Sequence, residues 1–349
     1  MAKYQALVTG AHGIIGHNLV QELALRRDWD VTALGRREEA PAAGVGYRRV
    51  DLGDSHAVRA ALADAGAITH LFFAAFQGAA DPLGEIAANV AILANTLDAL
   101  RGAGARLQRV VIYQGGKAYG ALHGSVRTPA RESDPRVPGP LFYHDQEDLL
   151  YARGAAEGFA TTVLRPDFVQ GIGFGSFVNV VHTVAGYAAV CRKLGLPLHF
   201  PGGPAAFEAL IQLTDAQLLA RGAIWAALEP HGNDVTYNIT NGDLFRWSHV
   251  WPRVAEWFGL PVGRPLHVDL DLFMRSRGEA AWAELRREHG LVVDLHQLQD
   301  WRQTQVLSSS VELHSSTIRI RQAGFQDCLD SEDRLIALFE EMRQRKYIP

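Results

Sequence analysis

The stretch Tyr4-Gln-Ala-Leu-Val-Thr-Gly10-Ala-His-Gly13-Ile-Ile-Gly16 decides the fold of this chain. It begins with a short apolar run, continues through three glycines spaced three residues apart, and opens a helical pattern that extends to about residue 27. The apolar run predicts a buried strand, and the glycines predict a tight turn from the strand into a helix. A strand, a glycine turn and a helix in this order are typical of the first unit of a nucleotide-binding α/β sheet.

Strand and helix signals continue to alternate through the first half of the chain. Short apolar runs predict strands at 31–34, 47–52, 69–75, 109–113 and 161–164. Helical patterns lie between these runs: one begins at residue 55, and two others cover 85–101 and 142–158. Strands this apolar are buried on both faces, as in parallel sheets that are covered by helices. We therefore expect an α/β fold class, with a Rossmann-type, doubly wound parallel sheet.

The second half of the chain breaks this alternation. Glycines and prolines cluster at 197–204, and helical stretches then mix with isolated strand signals such as 235–240. We interpret residues 1–170 as a nucleotide-binding Rossmann domain that shares later elements. Residues 171–349 are interpreted as mainly a smaller, C-terminal substrate-binding region, packed intimately against that domain.

Composition excludes several classes of protein. The 349 residues are 48% apolar and 21% charged, which is too apolar for a disordered chain. The formal net charge is −4, so the basic excess of a general nucleic-acid binder is missing. Two cysteines cannot form a disulfide framework, which favours a reducing, cytoplasmic location. No signal peptide is predicted, because the first strand-like run begins at Lys3 without a cationic segment and a long apolar stretch before it. No membrane span is predicted, because no run of about 18 apolar residues occurs.

The glycine turn is the strongest local signal for a ligand. Its glycines let backbone amides approach a pyrophosphate, which lies at the N-terminus of the following helix. The G-x-x-G-x-x-G spacing differs from the commoner G-x-G-x-x-G, but the flanking strand and helix support the same interpretation. The residues of this turn that we predict to bind the cofactor are Gly10, His12, Gly13, Ile14 and Ile15.

The second strand ends in Gly35-Arg36-Arg37, and this ending selects the cofactor. An acidic residue here would bind the ribose hydroxyls of NAD, whereas an arginine suits the 2′-phosphate of NADP. Because a guanidinium pairs with phosphate through two hydrogen bonds, Arg36 and Arg37 predict NADPH/NADP. Further cofactor contacts are predicted for Asp51 and Leu52 at the adenine, for Ala74, Ala75 and Phe76 beside the ribose, for Pro166 and Val169 near the nicotinamide, and for Gln114.

A tyrosine and a lysine in an unusual arrangement are the catalytic candidates. Extended short-chain dehydrogenases carry Tyr-x-x-x-Lys on the helix after the fifth strand, where the lysine assists the tyrosine. Here that helix has Tyr143, but Glu147 stands at the lysine position. Lys117 stands instead just after the fifth strand, in Gly-Gly-Lys117-Ala-Tyr. The alternative is that Lys117 is a solvated loop lysine, but beside Tyr143 we interpret it as the catalytic cation, moved from the helix to the facing loop.

That rearrangement is shared with the progesterone 5β-reductase/iridoid synthase-like (PRISE) enzymes, an atypical short-chain dehydrogenase family that this chain resembles from end to end. The matching segments are 10–16, 35–37, 69–73, 116–119, 142–143 with 147–148, 164–166, 237–243 and 245–247. The family's pattern has a histidine and a second tyrosine where this chain has Ala118 and His144.

The resemblance implies NADPH-dependent reduction of an activated carbon–carbon double bond, with hydride transfer to the β-carbon of an enone or enal. Tyr143 would donate a hydrogen bond to the carbonyl oxygen and stabilise the enolate, and Lys117 would hold the nicotinamide ribose. The same residues would also serve an aldehyde or ketone reductase, and a non-catalytic NADPH-binding regulator is a third hypothesis. The resemblance further implies a homodimer and a small, apolar, carbonyl-containing substrate, with no nucleic-acid or membrane partner.

Several side chains near these candidates have more than one interpretation. Aromatic residues after the sixth strand would line an apolar substrate pocket or pack in the core, namely Phe168, Phe174 and Phe177. His144 would either face the substrate or lie on the helix surface, and we expect it on the surface. We expect no metal site, because His12 and His17 have no third ligand nearby. Glu147 and Asp148 are expected to serve helix capping, ion pairing or the dimer face.

Overall fold

The structure is a computed structural model. It describes residues 3–120, 127–174, 179–229, 234–312 and 314–349. Most of the strands are short, and they belong to one large sheet and two small ones. Within the described part of the chain the strands are β1 (Tyr4–Thr9), β2 (Trp29–Gly35), β3 (Gly46–Arg49), β4 (His70–Phe73), β5 (Arg109–Tyr113), β6 (Ala160–Pro166), β7 (Val169–Gln170), β8 (Leu210–Ile211), β9 (Thr214–Asp215), β10 (Val235–Ile239) and β11 (Phe245–Arg246).

Helices alternate with the strands in the first half and dominate the second half. The α-helices of the described residues are α1 (Ile14–Ala24), α2 (Ser55–Ala61), α3 (Pro82–Gly102), α4 (Phe142–Glu157), α5 (Val180–Lys193), α6 (Pro204–Glu208), α7 (Ala216–Leu228), α8 (Trp247–Phe258), α9 (Leu270–Phe273), α10 (Glu279–His289), α11 (Leu295–Leu298), α12 (Ile318–Gln322) and α13 (Ser331–Gln344).

Seven strands form the central sheet in the order β10-β6-β5-β4-β1-β2-β3. Every neighbouring pair in it is parallel. The chain winds outward from β1 through β2 and β3, and then outward in the other direction from β4, so the order reverses between β1 and β4. This confirms the Rossmann-type, doubly wound sheet. In such sheets, ligands bind beyond the carboxyl ends of the strands at the point of reversal.

The two faces of the sheet have separate apolar cores, as the alternation of side chains along a strand requires. On β1, Ala6 and Val8 pack with Leu19 of α1 and Leu218 of α7. Leu7, between them, faces the other side, where the core is shared with α2, α3 and α4. All of these side chains are fully buried. The helices thus cover both faces, which is why the strands are apolar throughout.

The second half of the chain completes this sheet. Strand β10 pairs with β6 along its whole length, with Val235 opposite Thr162 and Ile239 opposite Pro166. Helix α7 packs against α1, over the same face of the sheet. A third apolar core lies around α5 and α8 and includes the fully buried Trp247. The division at residue 170 remains an interpretation.

Two strands are shorter than the apolar runs predicted. Strand β3 ends at Arg49 and β4 ends at Phe73, although the runs continue to residues 52 and 75. After β3, the Val50 N–H still donates to the Gly35 carbonyl at 2.8 Å, and the chain then turns away. The residues beyond these ends leave the sheet and become available to a ligand.

Helix α3 is long and apolar enough to cross a membrane by length and composition alone, with a mean hydropathy of 1.2 in its most apolar window. The sequence contains no unbroken apolar run of that length. Three of its leucines, Leu93, Leu97 and Leu100, are fully buried in the core between α3 and the sheet. Packing inside the fold therefore accounts for the apolar face of this helix.

The two cysteines lie in different environments. Cys191 is buried on α5, and Cys328 is exposed. Burial raises the pKa of the Cys191 thiol to about 11. Both thiols are free, in agreement with the absence of a disulfide framework from the sequence.

Candidate active site

A cleft of about 710 Å³ lies at the carboxyl ends of β1, β2 and β4. It is at the point where the strand order reverses. All the predicted cofactor residues except Gln114 and Pro166 line it. These lining residues are Gly10, His12, Gly13, Ile14, Ile15, Arg36, Arg37, Asp51, Leu52, Ala74, Ala75, Phe76 and Val169.

The glycine turn has the geometry that a pyrophosphate requires. Gly10 has a φ of +65°, and a Cβ built on it would overlap the Ala74 carbonyl. A Cβ on Gly16 would overlap the Gly10 carbonyl in the same way. Gly13 caps α1 without a side-chain hydrogen bond of its own. The first N–H groups of this helix and the positive end of its dipole are suited to bind phosphate oxygens. The residues present therefore fit a dinucleotide.

Both arginines after β2 are exposed at the cleft. Arg36 donates to the Gln77 side chain at 3.2 Å, across the cleft. Arg37 donates to the Phe174 carbonyl at 3.1 Å. Each guanidinium has five N–H donors, so each retains donors for a phosphate. Asp51 is also exposed, and its carboxylate accepts from the Gly53 N–H at 2.9 Å.

Tyr143 lies in the first turn of α4, half-buried, and lines the cleft. The Gln114 side-chain amide donates to its backbone carbonyl at 3.0 Å. Its hydroxyl faces the backbone at Gly115. A Cβ built there would lie 3.5 Å from the Tyr143 oxygen and 3.3 Å from the Pro166 carbonyl oxygen. The tyrosine hydroxyl thus lies next to Gly115 and the end of β6.

Burial raises the pKa of Tyr143 well above its ordinary value. The negative charges of Glu85 and Asp167 add to this increase, and Arg165 opposes it. The phenol is therefore protonated at neutral pH. A protonated phenol in a cleft can donate a hydrogen bond to a ligand oxygen.

Arg165, at the end of β6, connects the segments around Tyr143. Its Nε donates to Gln114 Oε1 at 2.8 Å, and Gln114 in turn holds the Tyr143 carbonyl. A second guanidinium nitrogen lies 3.6 Å from Glu147. The guanidinium also stacks over the Tyr119 ring, 5.0 Å from its centroid. One buried cation thus ties α4 to the segment after β5.

Glu147, at the position where a lysine is usual, is buried with cations around it. Besides Arg165, it accepts a hydrogen bond from Arg136 at 3.1 Å and one from the Tyr151 hydroxyl at 2.9 Å. Asp148 pairs with Arg136 at 2.7 Å. Of the three predicted roles for these two acids, ion pairing is confirmed. A lysine at residue 147 would face two arginines.

A family model described as a PRISE-like Rossmann-fold domain matches residues 50–294. This match covers more than half of the chain. The protein belongs to the PRISE-like family. The resemblance found in its motifs is thereby confirmed.

Two curated relatives match the PRISE-like chain over nearly its full length. An (S)-8-oxocitronellyl enol synthase from Nepeta cataria is 30% identical, with 99% of this chain and 91% of the relative covered. A 3-oxo-Delta(4,5)-steroid 5-beta-reductase from Arabidopsis thaliana is 28% identical, with 99% of this chain and 93% of the relative covered. The PRISE-like protein is thus an oxidoreductase.

Solved structures show the same fold at lower identity. A UDP-glucose 4-epimerase superposes with a TM-score of 0.72 at 13% identity, with 98% of each chain covered. RMD from Pseudomonas aeruginosa, complexed with NADPH, superposes with a TM-score of 0.71 at 17% identity, also with 98% of each chain covered. These superpositions show that the PRISE-like chain shares its fold with both proteins.

Lys117 of the PRISE-like protein lies on a one-turn 3-10 helix, Gly116–Tyr119, that follows β5. Its side chain is exposed, and the residue does not line the cleft. The turn begins one residue after Gly115, the neighbour of the Tyr143 hydroxyl. The role of Lys117 at the ribose stays a prediction.

The expectation for His144 was wrong. This side chain is half-buried, and both ring nitrogens are buried without a hydrogen-bond partner among the described residues. Burial lowers its pKa, with Arg136 contributing to the same effect, so the ring is neutral at pH 7. The histidine follows Tyr143 directly in the chain. The helical spacing of the sequence favours the outer side of α4. It does not reveal burial by residues that are distant in the sequence.

The predicted substrate wall is only partly assembled from the described residues. Phe174 is half-buried, lines the cleft and packs edge-on against Tyr347 at 4.8 Å. Phe168 has a φ of +33°, is 37% exposed and does not line the cleft. Phe177 lies outside the described residues.

Two predicted cofactor residues also lie outside the cleft lining. Gln114 is buried, with both ends of its amide bonded to Arg165 and to the Tyr143 carbonyl. Pro166 presents its carbonyl to Gly115. Sequence analysis did not find the connecting role of Arg165 or the buried carboxyl group of Asp167. The signal that could have revealed both roles is the sequence Arg165-Pro-Asp167 at the end of a predicted strand. Charged residues are seldom buried unless they have a partner, so these two side chains would be expected to bind one.

Proposed function

We propose that the protein is an NADPH-dependent reductase of activated carbon–carbon double bonds, acting by 1,4-reduction of enones or enals. The observation that carries this proposal is the protonated phenol of Tyr143 in the cofactor cleft of a PRISE-like chain. The names of the relatives support it, since one is a steroid 5-beta-reductase and another an enol synthase.

NADPH, when bound, supplies the hydride for the β-carbon of the substrate. As that carbon is reduced, negative charge develops on the carbonyl oxygen. The Tyr143 hydroxyl donates a hydrogen bond to this oxygen and stabilises the enolate more than the neutral enone, which lowers the barrier. Water then supplies the proton to the α-carbon, and the saturated carbonyl compound leaves.

The protein contributes position as well as this hydrogen bond. Gln114 and Arg165 hold the backbone at Tyr143, so the hydroxyl has a fixed place when the substrate enters. Lys117 is proposed to bind the nicotinamide ribose from the turn beside it. Phe76, Val169 and Phe174 give the cleft an apolar wall, which suits an apolar enone.

The preference for NADPH over NADH is assigned to the arginines after β2. Both guanidinium groups are exposed at the cleft, and each has donors left for the 2′-phosphate. The described lining contains one acidic side chain near the ribose end, Asp51, and it follows β3 rather than β2. This arrangement favours a phosphate over free ribose hydroxyls.

The deciding experiment follows NADPH absorbance with a panel of enones, enals and the matching saturated carbonyl compounds, and identifies each product. Saturated ketones or aldehydes from the unsaturated substrates are the expected products. Allylic alcohols, or turnover of saturated carbonyl compounds, would make the protein a carbonyl reductase. Tight binding of NADPH without turnover of any compound would favour the non-catalytic regulator.

A further inference from the structure

The carboxyl group of Asp167 is buried directly beyond the end of β6. Only 4% of the residue is exposed. Its carboxylate accepts a hydrogen bond from the Ser315 hydroxyl, and its backbone N–H donates to the Thr214 hydroxyl at 3.0 Å. No cation among the described residues lies within ion-pair distance of it, unlike the buried Glu147. A buried carboxyl group without a cation is costly and needs an explanation.

The second group that faces this carboxyl belongs to the catalytic region. The Gly116 N–H interacts with it and, like the Ser315 hydroxyl, favours its ionised form. Gly116 is the first residue of the turn that carries Lys117. A Cβ built on the preceding residue, Gly115, would lie within 3.5 Å of both the Pro166 carbonyl oxygen and the Tyr143 hydroxyl, so this turn is next to both groups. Asp167 is therefore placed between the Lys117 turn and the segment around Ser315.

We propose that Asp167 is a positioning residue whose ionised carboxylate fixes the Gly116 turn, and with it Lys117, against the end of β6. The proposal rests on the proposed function, in which Lys117 binds the nicotinamide ribose. When the carboxyl takes up a proton, one of its oxygens becomes a donor, so one of its two hydrogen-bond donors loses its acceptor. The turn is then less firmly held, and cofactor and substrate bind less well.

The environment of Asp167 makes this protonation occur close to physiological pH. Burial raises its pKa to about 6, against the opposing effect of Ser315 and Gly116. The ionised form also helps to keep the Tyr143 phenol protonated. Titratable or charged groups on the elements around Asp167 are Tyr143 on α4, Lys117 on the turn, Arg165 on β6, Asp215 on β9 and His314 beside Ser315.

The chain offers a matched control for this carboxylate. Asp243 accepts from the Ser331 hydroxyl at 2.6 Å and from the Ser331 N–H at 2.7 Å. It thus has the same two kinds of donor, a serine hydroxyl and a backbone N–H, but it does not line the cleft. Asp243→Asn removes a comparable carboxylate from a place where the proposal assigns no positioning role.

The experiment compares the wild type with Asp167→Asn, Ser315→Ala and Asp243→Asn between pH 5 and 8. It measures kcat/KM with an enone from the panel and, separately, the dissociation constant of NADP⁺ by calorimetry. The wild type should lose activity below about pH 6. Asp167→Asn should be about ten- to a hundredfold less active at pH 8. Its kcat/KM should lack the decrease on the acid side of the pH profile, the acid limb, that protonation of Asp167 causes in the wild type. Ser315→Ala removes a hydrogen bond to the charged form, so the limb should move to higher pH.

NADP⁺ binding decides the proposal independently of turnover. The 2′-phosphate of the ligand titrates near pH 6 in every variant and therefore contributes equally to the pH dependence of each dissociation constant. Any additional pH dependence of the wild-type dissociation constant, relative to that of Asp167→Asn, comes from the Asp167 carboxyl group. An acid limb unchanged in Asp167→Asn, or unmoved in Ser315→Ala, would overturn the proposal. If no enone is turned over by any variant, the proposed function fails, while the binding profiles still test Asp167. Asp243→Asn should behave as the wild type, and an equal effect there would also overturn the proposal.

Discussion

Tyr143 shows how the environment of one residue sets its chemistry. Its phenol is kept protonated by burial and by nearby negative charge, and a protonated phenol is what an enolate requires. In the usual arrangement of short-chain dehydrogenases, a lysine four residues along lowers the pKa of the tyrosine. Here the corresponding Glu147 has the opposite charge, and under the proposed function the phenol serves as a donor rather than as a source of phenolate.

Tyr143→Phe should lower kcat/KM for an enone by about a hundred- to a thousandfold, the effect of removing one donor at a developing oxyanion. Binding of NADPH should stay within about twofold, because the ring remains. Tyr113→Phe is the control: its hydroxyl is buried without a hydrogen-bond partner in the described structure, so it should leave activity unchanged. Stopped-flow measurement of hydride transfer distinguishes the two variants, and full activity in Tyr143→Phe would refute the mechanism.

Arg36→Ala should abolish most of the preference for NADPH. Loss of a charge-assisted pair with phosphate is expected to weaken NADPH binding by at least tenfold and to leave NADH binding nearly unchanged. Arg59→Ala, which removes an exposed arginine from α2 away from the cleft, should change neither affinity. Fluorescence titration with both cofactors provides the test, and equal affinities in the wild type would disprove the assignment.

Single residues were predictable where their place depends on the end of a strand. Arg36 and Arg37 follow β2 directly, so the local pattern put them at the cleft. His144 was not predictable in this way. Its ring nitrogens are buried, and helical periodicity alone does not reveal this burial, which depends on how α4 packs in the assembled fold. The lysine turn was found from the sequence, and the exposure of Lys117 matches the alternative of a solvated loop lysine.

Helix α4 and strand β6 act as one unit through the pairing of Glu147 with Arg165. The side chains of both residues are buried, at 6% and 7% exposure. Breaking such a pair leaves an uncompensated charge, which typically costs about 3–5 kcal/mol. The usual Tyr-x-x-x-Lys arrangement therefore cannot be restored by a single substitution in this chain.

Glu147→Lys should lower the free energy of unfolding by at least about 3 kcal/mol, because it places a third cation beside Arg136 and Arg165. Asp148→Lys is the neighbouring control. The Asp148 side chain is 65% exposed, and its surface ion pair should contribute no more than about 1 kcal/mol. Urea unfolding measures both values. Similar losses in the two variants would contradict the assignment of the buried pair as a structural element.

The elements of the first half were predictable because each is a short, local pattern. Strand β5 has the predicted bounds, and α4 begins at the predicted residue. The pairing of Arg165 with Glu147 was not predictable, since it joins two elements whose approach depends on the whole sheet. The same holds for β10, whose apolar pattern predicted a strand but not its neighbour.

At the scale of the whole molecule, the large sheet depends on the pairing of β10 with β6. Without β10, the β6 edge of the sheet would expose unpaired backbone groups and apolar side chains such as Val163 and Leu164, both fully buried here. Without α7, the face of the sheet shared with α1 would also lose its cover. The second half thus completes and covers the Rossmann-type sheet of the first half.

A fragment of residues 1–170 should therefore not fold alone, whereas the full chain should unfold cooperatively. Calorimetry of the two proteins, with NADPH binding as a second readout, tests this. A fragment that shows a cooperative transition and binds NADPH would establish an independent domain. The sequence alone could not decide this point, because strand order is a property of the assembled sheet.

The unequal burial of the two cysteines has a practical consequence. Thiol-directed reagents react with the thiolate, so near neutral pH the raised pKa and burial of Cys191 protect it. Cys328 is exposed and does not line the cleft. A single maleimide dye, spin label or resin linkage should therefore attach at one defined position of the wild-type chain. The enzyme could be immobilised or followed by fluorescence with its cofactor entrance left open.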